Sequence, residues 1–381
     1  MGDSDAVQRL KNQVQPYAWG SATAIPALLG TKADGTPQAE LWLGAHPVAP
    51  SKVESGATLI DWLAADPATR LGDRSTKAFG PQLPFLLKVL AAAEPLSLQA
   101  HPSLAQAKEG FAREDAAGLA RTASNRNYRD PNHKPEIICA LSRFEALCGF
   151  RSVAQTIEIF RALGLDVGTL QTRGLKAYFD EVMSAPKATQ QALVARAVEG
   201  ARKAPAGLEK ECGLVARLSA KYPGDVGVVG ALLLNHLWLE PGQALFLGAG
   251  NLHAYLEGTG VELMANSDNV LRGGLTPKHV DVPELLRVLQ FVDGPAKVLT
   301  PSEGLEGVYE TPVPDFRLSR LVLKQQQVQL PRGLPQILLC TEGTARVGPT
   351  SLERGQSVFV AANEPVMVSG EAVVFRATPG L

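Results

Sequence analysis

Two stretches of this chain repeat one another at a constant offset of 113 residues: LEPGQALFLGAGNLHAYLEG (239–258) and LERGQSVFVAANEPVMVSG (352–370). Gly242, Gln243 and Phe246 of the first copy match Gly355, Gln356 and Phe359 of the second. A turn built from Glu, Gly and Gln, then a strand, a small-residue turn and another strand, is a module suited to a jelly roll. A chain that carries it twice is constrained to two β units. His253 of the first copy falls opposite Val366 of the second, and the C-terminal block has no histidine. Only one of the two units can therefore hold a histidine metal site of this type.

Around the repeat the chain changes character twice. Residues 12–150 read as short β-prone runs (ELWLG, LPFLLKVL, LSLQAH, PEIICAL, EALCGFR) punctuated by Pro and Gly. From SVAQTIEIFRALG to EKECGLVARLSAKY, apolar residues recur at helical spacing, which predicts a helical insertion over 152–222. β character returns after Gly224, is interrupted by VPELLRVLQF, and dominates again from about 312 to 381. The expected fold is mainly β with a helical insertion (α+β): two jelly rolls and an α-helical subdomain. The expected division is 1–151 with 223–290 as a catalytic jelly roll, 152–222 as the insertion, and 291–381 as a second jelly roll without metal ligands.

Composition narrows the function. With 381 residues and 45% hydrophobic content the chain buries substantial cores. A net charge of −1 provides no footprint for nucleic acid or an anionic membrane. The opening MGDSDAVQRLKNQVQ lacks the apolar core of a signal peptide, and no uninterrupted apolar run is long enough to span a bilayer. Cys139, Cys148, Cys212 and Cys340 are scattered, without a CxxC pair, as expected for buried thiols in a reducing compartment. The expectation is a cytoplasmic protein, monomeric or weakly oligomeric, with a small-molecule substrate.

Three short contexts carry the chemistry. In SLQAHPS, strand alternation puts Gln99 and His101 on one face and Leu98 and Ala100 on the other. In NHKPEI, Pro135 favours an extended Lys134, so that Lys134 and Glu136 share a face. In NLHAYLEG, His253 and Tyr255 share a face. Taken singly, each fits an ordinary role: solvent-facing polar groups, a Lys–Glu surface pair, a half-buried aromatic face. Taken together, Gln99, His101, Glu136 and His253 supply two imidazoles, one carboxylate and a neutral amide oxygen. That N/O set suits zinc or another borderline divalent ion, and it leaves the ion a net positive charge for Lewis-acid work. Arg272 and Lys278, in SDNVLRGGLTPK after Asp268, suit a phosphate as a planar fork and a point charge. Glu262, an acid inside the apolar strand VELMA, is the remaining unusual residue.

The ordered set YAWG, ELWLGAHPVAPS, LPFLLKVL with SLQAHPS, YRDPNHKPEI, FEALCGFR and GNLHAYLEGTGVELMANSDNVLRGGLTPKH resembles the type I phosphomannose isomerases of the cupin superfamily. The resemblance extends from near the N-terminus to about residue 279. It implies interconversion of mannose 6-phosphate and fructose 6-phosphate with one bound zinc per chain, held by Gln99, His101, Glu136 and His253. It also implies Arg272 as the active-site arginine, with Lys134, Glu262 and Lys278 at positions of chemistry or phosphate binding. Ser97 is implied beside the phosphate, and Tyr17, Trp19, Glu40, Lys88, His133, Tyr255 and Asp268 around the substrate.

Such a reaction moves a proton between C1 and C2 of an open-chain sugar through a cis-enediol, which requires electrostatic stabilisation of the enediolate and a base. Glu262 and Lys134 compete for that base; a carboxylate is already ionised at neutral pH, which favours Glu262. Two other classes fit parts of the pattern. Two histidines and a carboxylate also describe a non-haem iron oxygenase, and the histidine-free second module is a precedent for a cupin that binds sugar or metal without turnover.

Overall fold

The computed structural model describes residues 6–203 and 205–381; residues 1–5, the start of the segment read as lacking a signal core, lie outside them. Its strands, in chain order, begin with β1 (Val7–Leu10), β2 (Gln13–Gln15), β3 (Glu40–Gly44), β4 (Phe85–Ala92), β5 (Leu98–Ala100) and β6 (Glu136–Ala140). Next come β7 (Phe144–Phe150), β8 (Leu234–Leu239), β9 (Ala244–Leu247), β10 (His253–Ala265), β11 (Leu271–Gly274) and β12 (Val298–Leu299). The last block holds β13 (Glu306–Tyr309), β14 (Arg317–Leu330), β15 (Gln336–Val347), β16 (Thr350–Glu353), β17 (Ser357–Val360) and β18 (Val366–Thr378).

The sequence repeat is a structural repeat. β9 and β17, and β10 and β18, coincide residue for residue at the 113-residue offset. The turn before each pair is the same object. Gly242 and Gly355 both adopt positive φ (89° and 84°), and the Gln243 and Gln356 amide oxygens accept from the Glu240 and Glu353 backbone N–H at 2.8 and 3.0 Å. The strand orders also correspond. One sheet runs β12-β9-β6-β10-β4-β3-β2 and the other β1-β17-β15-β18-β14-β13, antiparallel throughout. The fold is α+β, with two antiparallel sheets and a helical region.

β10 organises the metal-bearing unit. Its first half pairs with β5 and β7, and its second half, from Gly258, with β4 and β6. A register shift between Tyr255 and Glu257 lets one strand pass between the two layers. The even-numbered residues of β4 (Leu86, Lys88, Leu90) therefore share the inner face with Glu262 and Met264. Leu87, Val89, Val261, Leu263 and Ile137 point the other way and form one core with Ile337, Phe359 and Phe375 of the second sheet. Both faces of β4 are buried, which is why its sequence reads as a continuous apolar run with Lys88 as its one charge.

Helices Val153–Ala162, Gly168–Ser184, Lys187–Arg202 and Glu209–Lys221 supply the opposite cover. Their apolar faces (Phe160, Phe179, Val194, Leu218 among them) pack on Leu98, Ala100, Leu252, Ala254 and Leu271. This drives Gln99 of β5, and His101 immediately after it, to the inner face.

Two features differ from the sequence reading. β1 pairs with β17 and β12 with β9, so the first strand belongs to the second sheet and not to the unit formed by 1–151, and Val298–Leu299 belongs to the first sheet and not to the unit formed by 291–381. Four residues carry too little pattern to choose between sheets; Val7 is simply what closes the edge core with Val347, Val358 and Val366. The region read as mostly sheet also holds helices Ala24–Leu29, Leu59–Ala65, Pro67–Leu71, Asp73–Phe79 and Leu104–Ala116. Most are too short for periodicity to reveal. Their signal is in their caps: Thr58, Asp66 and Ser103 accept the N3 backbone N–H, and Ser103 closes a capping box with Gln106. Such a cap contributes about 1 kcal/mol.

Candidate metal centre and active site

Gln99 on β5 pairs in register with His253 on β10 and with Arg272 on β11, so these three side chains form one row on the inner face. His101 follows two residues after Gln99. Glu136 starts β6 opposite Met264. The fold thus brings His101 Nε2 to 3.4 Å and His253 Nε2 to 3.5 Å from Glu136 Oε2, all three residues being buried.

Each ligand atom is left free by what holds the rest of its side chain. His101 Nδ1 meets the Asn269 carbonyl at 2.7 Å and His253 Nδ1 the Asn251 carbonyl at 3.0 Å. A carbonyl only accepts, so both Nδ1 atoms carry the proton and both Nε2 atoms present lone pairs. Lys134 Nζ takes the other Glu136 oxygen at 2.9 Å. His101 Nε2, His253 Nε2 and Glu136 Oε2 are consequently buried without a hydrogen-bond partner, a costly arrangement unless a cation sits between them. Zinc bonds of about 2.1 Å in tetrahedral directions place ligand atoms about 3.4 Å apart, close to the spacing observed. Burial pushes the His101 imidazole down to about 4 against the pull of Glu136, which keeps it neutral. Burial opposes the charge on Glu136, but Lys134 and the His101 ring outweigh it and hold its carboxyl well below the usual range. The Glu136 carboxylate and the His101 ring are deprotonated and ready for a metal.

Next to the centre lies a second buried cluster. Lys88 Nζ is 3.3 Å from Glu262 Oε2 and 3.6 Å from Glu40 Oε2, and Glu40 accepts from the Trp42 indole at 2.6 Å. Burial works against the Lys88 ammonium, yet Glu40 and Glu262 hold it above its ordinary value. Glu262 goes the other way: burial raises its carboxyl, Lys88 lowers it, and Glu136 and Glu40 raise it again, leaving it above the usual range. The Tyr255 hydroxyl is buried without a hydrogen-bond partner on the same side. Its own pKa is pushed well up, first by burial and then by Glu262 and Glu136.

Arg272 and Lys278 form a cationic edge together with Arg129, which the sequence reading did not single out. None of the three has an ion-pair partner among the described residues. Burial and then the Arg129 charge lower Arg272, while burial, Arg272 and Arg129 lower Lys278. Three cations that repel one another, with no carboxylate paired to them, make a positively charged patch suited to an anion.

Other residues are spread around this centre. Trp19, half-buried, stacks on Tyr17 at 5.8 Å and packs on the cluster containing Tyr255. Asp268 meets His46 Nε2 at 3.5 Å; this contact lowers its carboxyl, against burial. Ser97 precedes β5 on the alternation of Gln99 and His101, half-buried. His133 is turned towards the second sheet unit, where its Nε2 lies 3.0 Å from both Asp315 oxygens. Besides Arg129, sequence reasoning missed Trp42, which binds Glu40 two residues away, and His46 and Asn269, whose contacts cross long stretches of chain. Two cavities of ≈ 440 and ≈ 610 Å³ lie elsewhere, between β7, β8, the helices and the 290–299 segment, and none of the candidate residues lines them.

Fold and site together define a metal-dependent enzyme of the jelly-roll type. Residues 7–153 match the family model of the phosphomannose isomerase type I catalytic domain. The mannose-6-phosphate isomerase of Escherichia coli (strain K12) is 39% identical over 393 residues, covering 97% of this chain and 99% of its own length. That of Homo sapiens is 33% identical over 418 residues, covering 96% of each. A zinc-bound crystal structure of mannose 6-phosphate isomerase superposes with a TM-score of 0.91 at 37% identity, over 99% of this chain and 100% of that one. The chain belongs to the type I phosphomannose isomerases. His101, Glu136 and His253 form its zinc site. No helix among the described residues is long and apolar enough to cross a membrane.

Proposed function

We propose that the residues assembled around His101, Glu136 and His253 carry out the mannose-6-phosphate isomerase activity of this chain by a cis-enediol proton transfer, with Glu262 as the base. The observation that carries this reading is the buried Glu262 carboxylate, 3.3 Å from Lys88 Nζ, on the strand that also supplies His253. Gln99, in register with His253, completes the ligand set. Zinc held there supplies Lewis acidity for the negative charge that develops on the sugar's C1 and C2 oxygens.

The chain's own residues do the rest. Arg129, Arg272 and Lys278 hold the phosphate, with Ser97 beside it, and so fix which carbons reach the base. Glu262 removes the proton from C2 of the aldose and returns it to C1, while the O2 hydroxyl proton passes to O1, or the reverse. Lys88 keeps that carboxylate ionised and aimed. Lys134 is committed to Glu136 by its ion pair, a role that uses its charge and leaves the base function to Glu262. Trp19, Tyr255, Asp268 and the His133 segment border the substrate space.

A base that picks up a proton exchanges it with water over repeated turnovers. Fructose 6-phosphate recovered after prolonged reaction in D₂O is expected to carry deuterium on C1. Complete absence of label would indicate direct hydride transfer between the carbons and would remove Glu262 from its role.

The pH profile gives a second expectation. Glu262 works ionised, and its pKa is raised, so kcat/KM falls on the acid side at a pH above the ordinary glutamate range. Lys88 is the largest influence lowering that pKa. Lys88→Met is expected to move the acid limb to higher pH, as read from kcat/KM between pH 5 and about 8. An unmoved limb would mean that another group sets it.

A further inference from the structure

One buried residue touches both ends of the site. Asn269 is fully buried, and its backbone carbonyl is the acceptor that fixes the His101 ring, at 2.7 Å. Its side chain is saturated on the other side by the loop that carries Arg129. Oδ1 accepts from the Arg129 N–H at 2.7 Å and the Asp130 N–H at 3.2 Å, and Nδ2 donates to the Asp130 and Asn132 carbonyls at 2.7 and 2.8 Å. Neighbours reinforce the joint. Ser267 Oγ donates to Asp130 Oδ1 at 2.8 Å, and the Asp268 N–H to Asp130 Oδ2 at 2.8 Å.

Arg129 cannot take its place by itself. It is exposed, has no ion-pair partner among the described residues, and lies in the segment between Tyr128 and His133. Upstream, the Tyr128 ring lies against helix Leu104–Ala116, where a Cβ at Gly110 would come within 2.3 Å of it, and the Tyr128 hydroxyl donates to Glu284 at 2.5 Å. Downstream, His133 is held by Asp315. Between those anchors the loop's backbone is fixed by Asn269, Ser267 and Asp268, and only Asn269 also touches a zinc ligand.

We propose that Asn269 is a positioning residue for the isomerase: its side chain holds Arg129 in the phosphate-binding cluster while its carbonyl holds His101, so that one residue sets the distance from phosphate anchor to metal. This rests on the function proposed above. A sugar phosphate spans that distance, and a proton transfer tolerates little misplacement of its carbons.

The decisive comparison uses Asn269→Ala, Arg129→Gln and the double variant, after wild-type turnover of mannose 6-phosphate has been established. Absence of wild-type turnover would strike the functional reading and not this one. Asn269→Ala keeps the backbone carbonyl, so zinc content is expected to stay at one per chain. Its KM for mannose 6-phosphate is expected to rise about tenfold or more, with a smaller change in kcat, the scale of a lost charge-assisted contact. Affinity for inorganic phosphate, measured by calorimetry on the zinc-loaded chain, should weaken in parallel. In the double variant the KM should be no higher than in the worse single one, because Asn269 acts through Arg129. Effects that multiply, or a KM and phosphate affinity that stay at wild-type values, would overturn the proposal. If Asn269→Ala does not fold, Asn269→Leu, which fills the space and loses the acceptor as well as both donors, carries the same comparison with Arg129→Gln.

Discussion

Replacing His253 with alanine is expected to abolish zinc binding and turnover together. The ring contributes one of three buried ligand atoms, its Nε2 lying 3.5 Å from Glu136 Oε2, and its tautomer is set by the Asn251 carbonyl. Without it, His101 and Glu136 remain of the three, and half the imidazole donors of the site are gone. A borderline divalent ion loses most of its affinity with one such ligand, and the several kcal/mol of charge stabilisation that it supplies go with it. The expected loss in kcat/KM is on the order of a thousandfold or more. Metal content by elemental analysis separates this from a folding defect: a folded, metal-free, inactive variant is the expected outcome. Full metal content with normal turnover would remove His253 from the site.

Glu262→Gln is expected to separate metal binding from chemistry. Glu262 lies on the second half of β10, beyond the register shift, and reaches Lys88 rather than the ligand atoms. The amide is isosteric and cannot accept the substrate proton. Removal of a general base costs about 10²- to 10⁴-fold, and it should fall on kcat with zinc retained and KM nearly unchanged. Deuterium wash-in from D₂O should disappear to the same degree. There is also a structural effect, since Lys88 keeps only Glu40 at 3.6 Å as a carboxylate partner. A kcat within a few-fold of wild type would return the base role to Lys134.

Strand alternation was enough to place much of this centre. Gln99 and His101 point inward because Leu98 and Ala100 are apolar and the helical layer covers them. The repeated Glu–Pro/Arg–Gly–Gln turn predicts two equivalent β units because the same glycine φ and glutamine cap recur in both. Lys88 and Glu262 stand out as charges in apolar strands, and the register pairs them. What was not legible depends on contacts between distant segments. Arg129 joins Arg272 and Lys278 only through backbone contacts to Asn269, about 140 positions away in sequence. His133 finds Asp315 across the two sheets, and β1 finds β17 across almost the whole chain. No local period or propensity encodes such pairings. The short helices were hidden for a different reason: one or two turns hold too few apolar residues to show a period, and only their caps betray them.

The central claim is that this buried N/O centre is a catalytic zinc site acting on a sugar phosphate. The most direct test is fructose 6-phosphate formation from mannose 6-phosphate, followed by a coupled assay on the purified chain before chelation, after it, and after zinc is restored. Turnover that is lost with the chelator and recovered with zinc is the expected result. Turnover that survives complete metal removal, or none at all from the fully zinc-loaded chain, would contradict it.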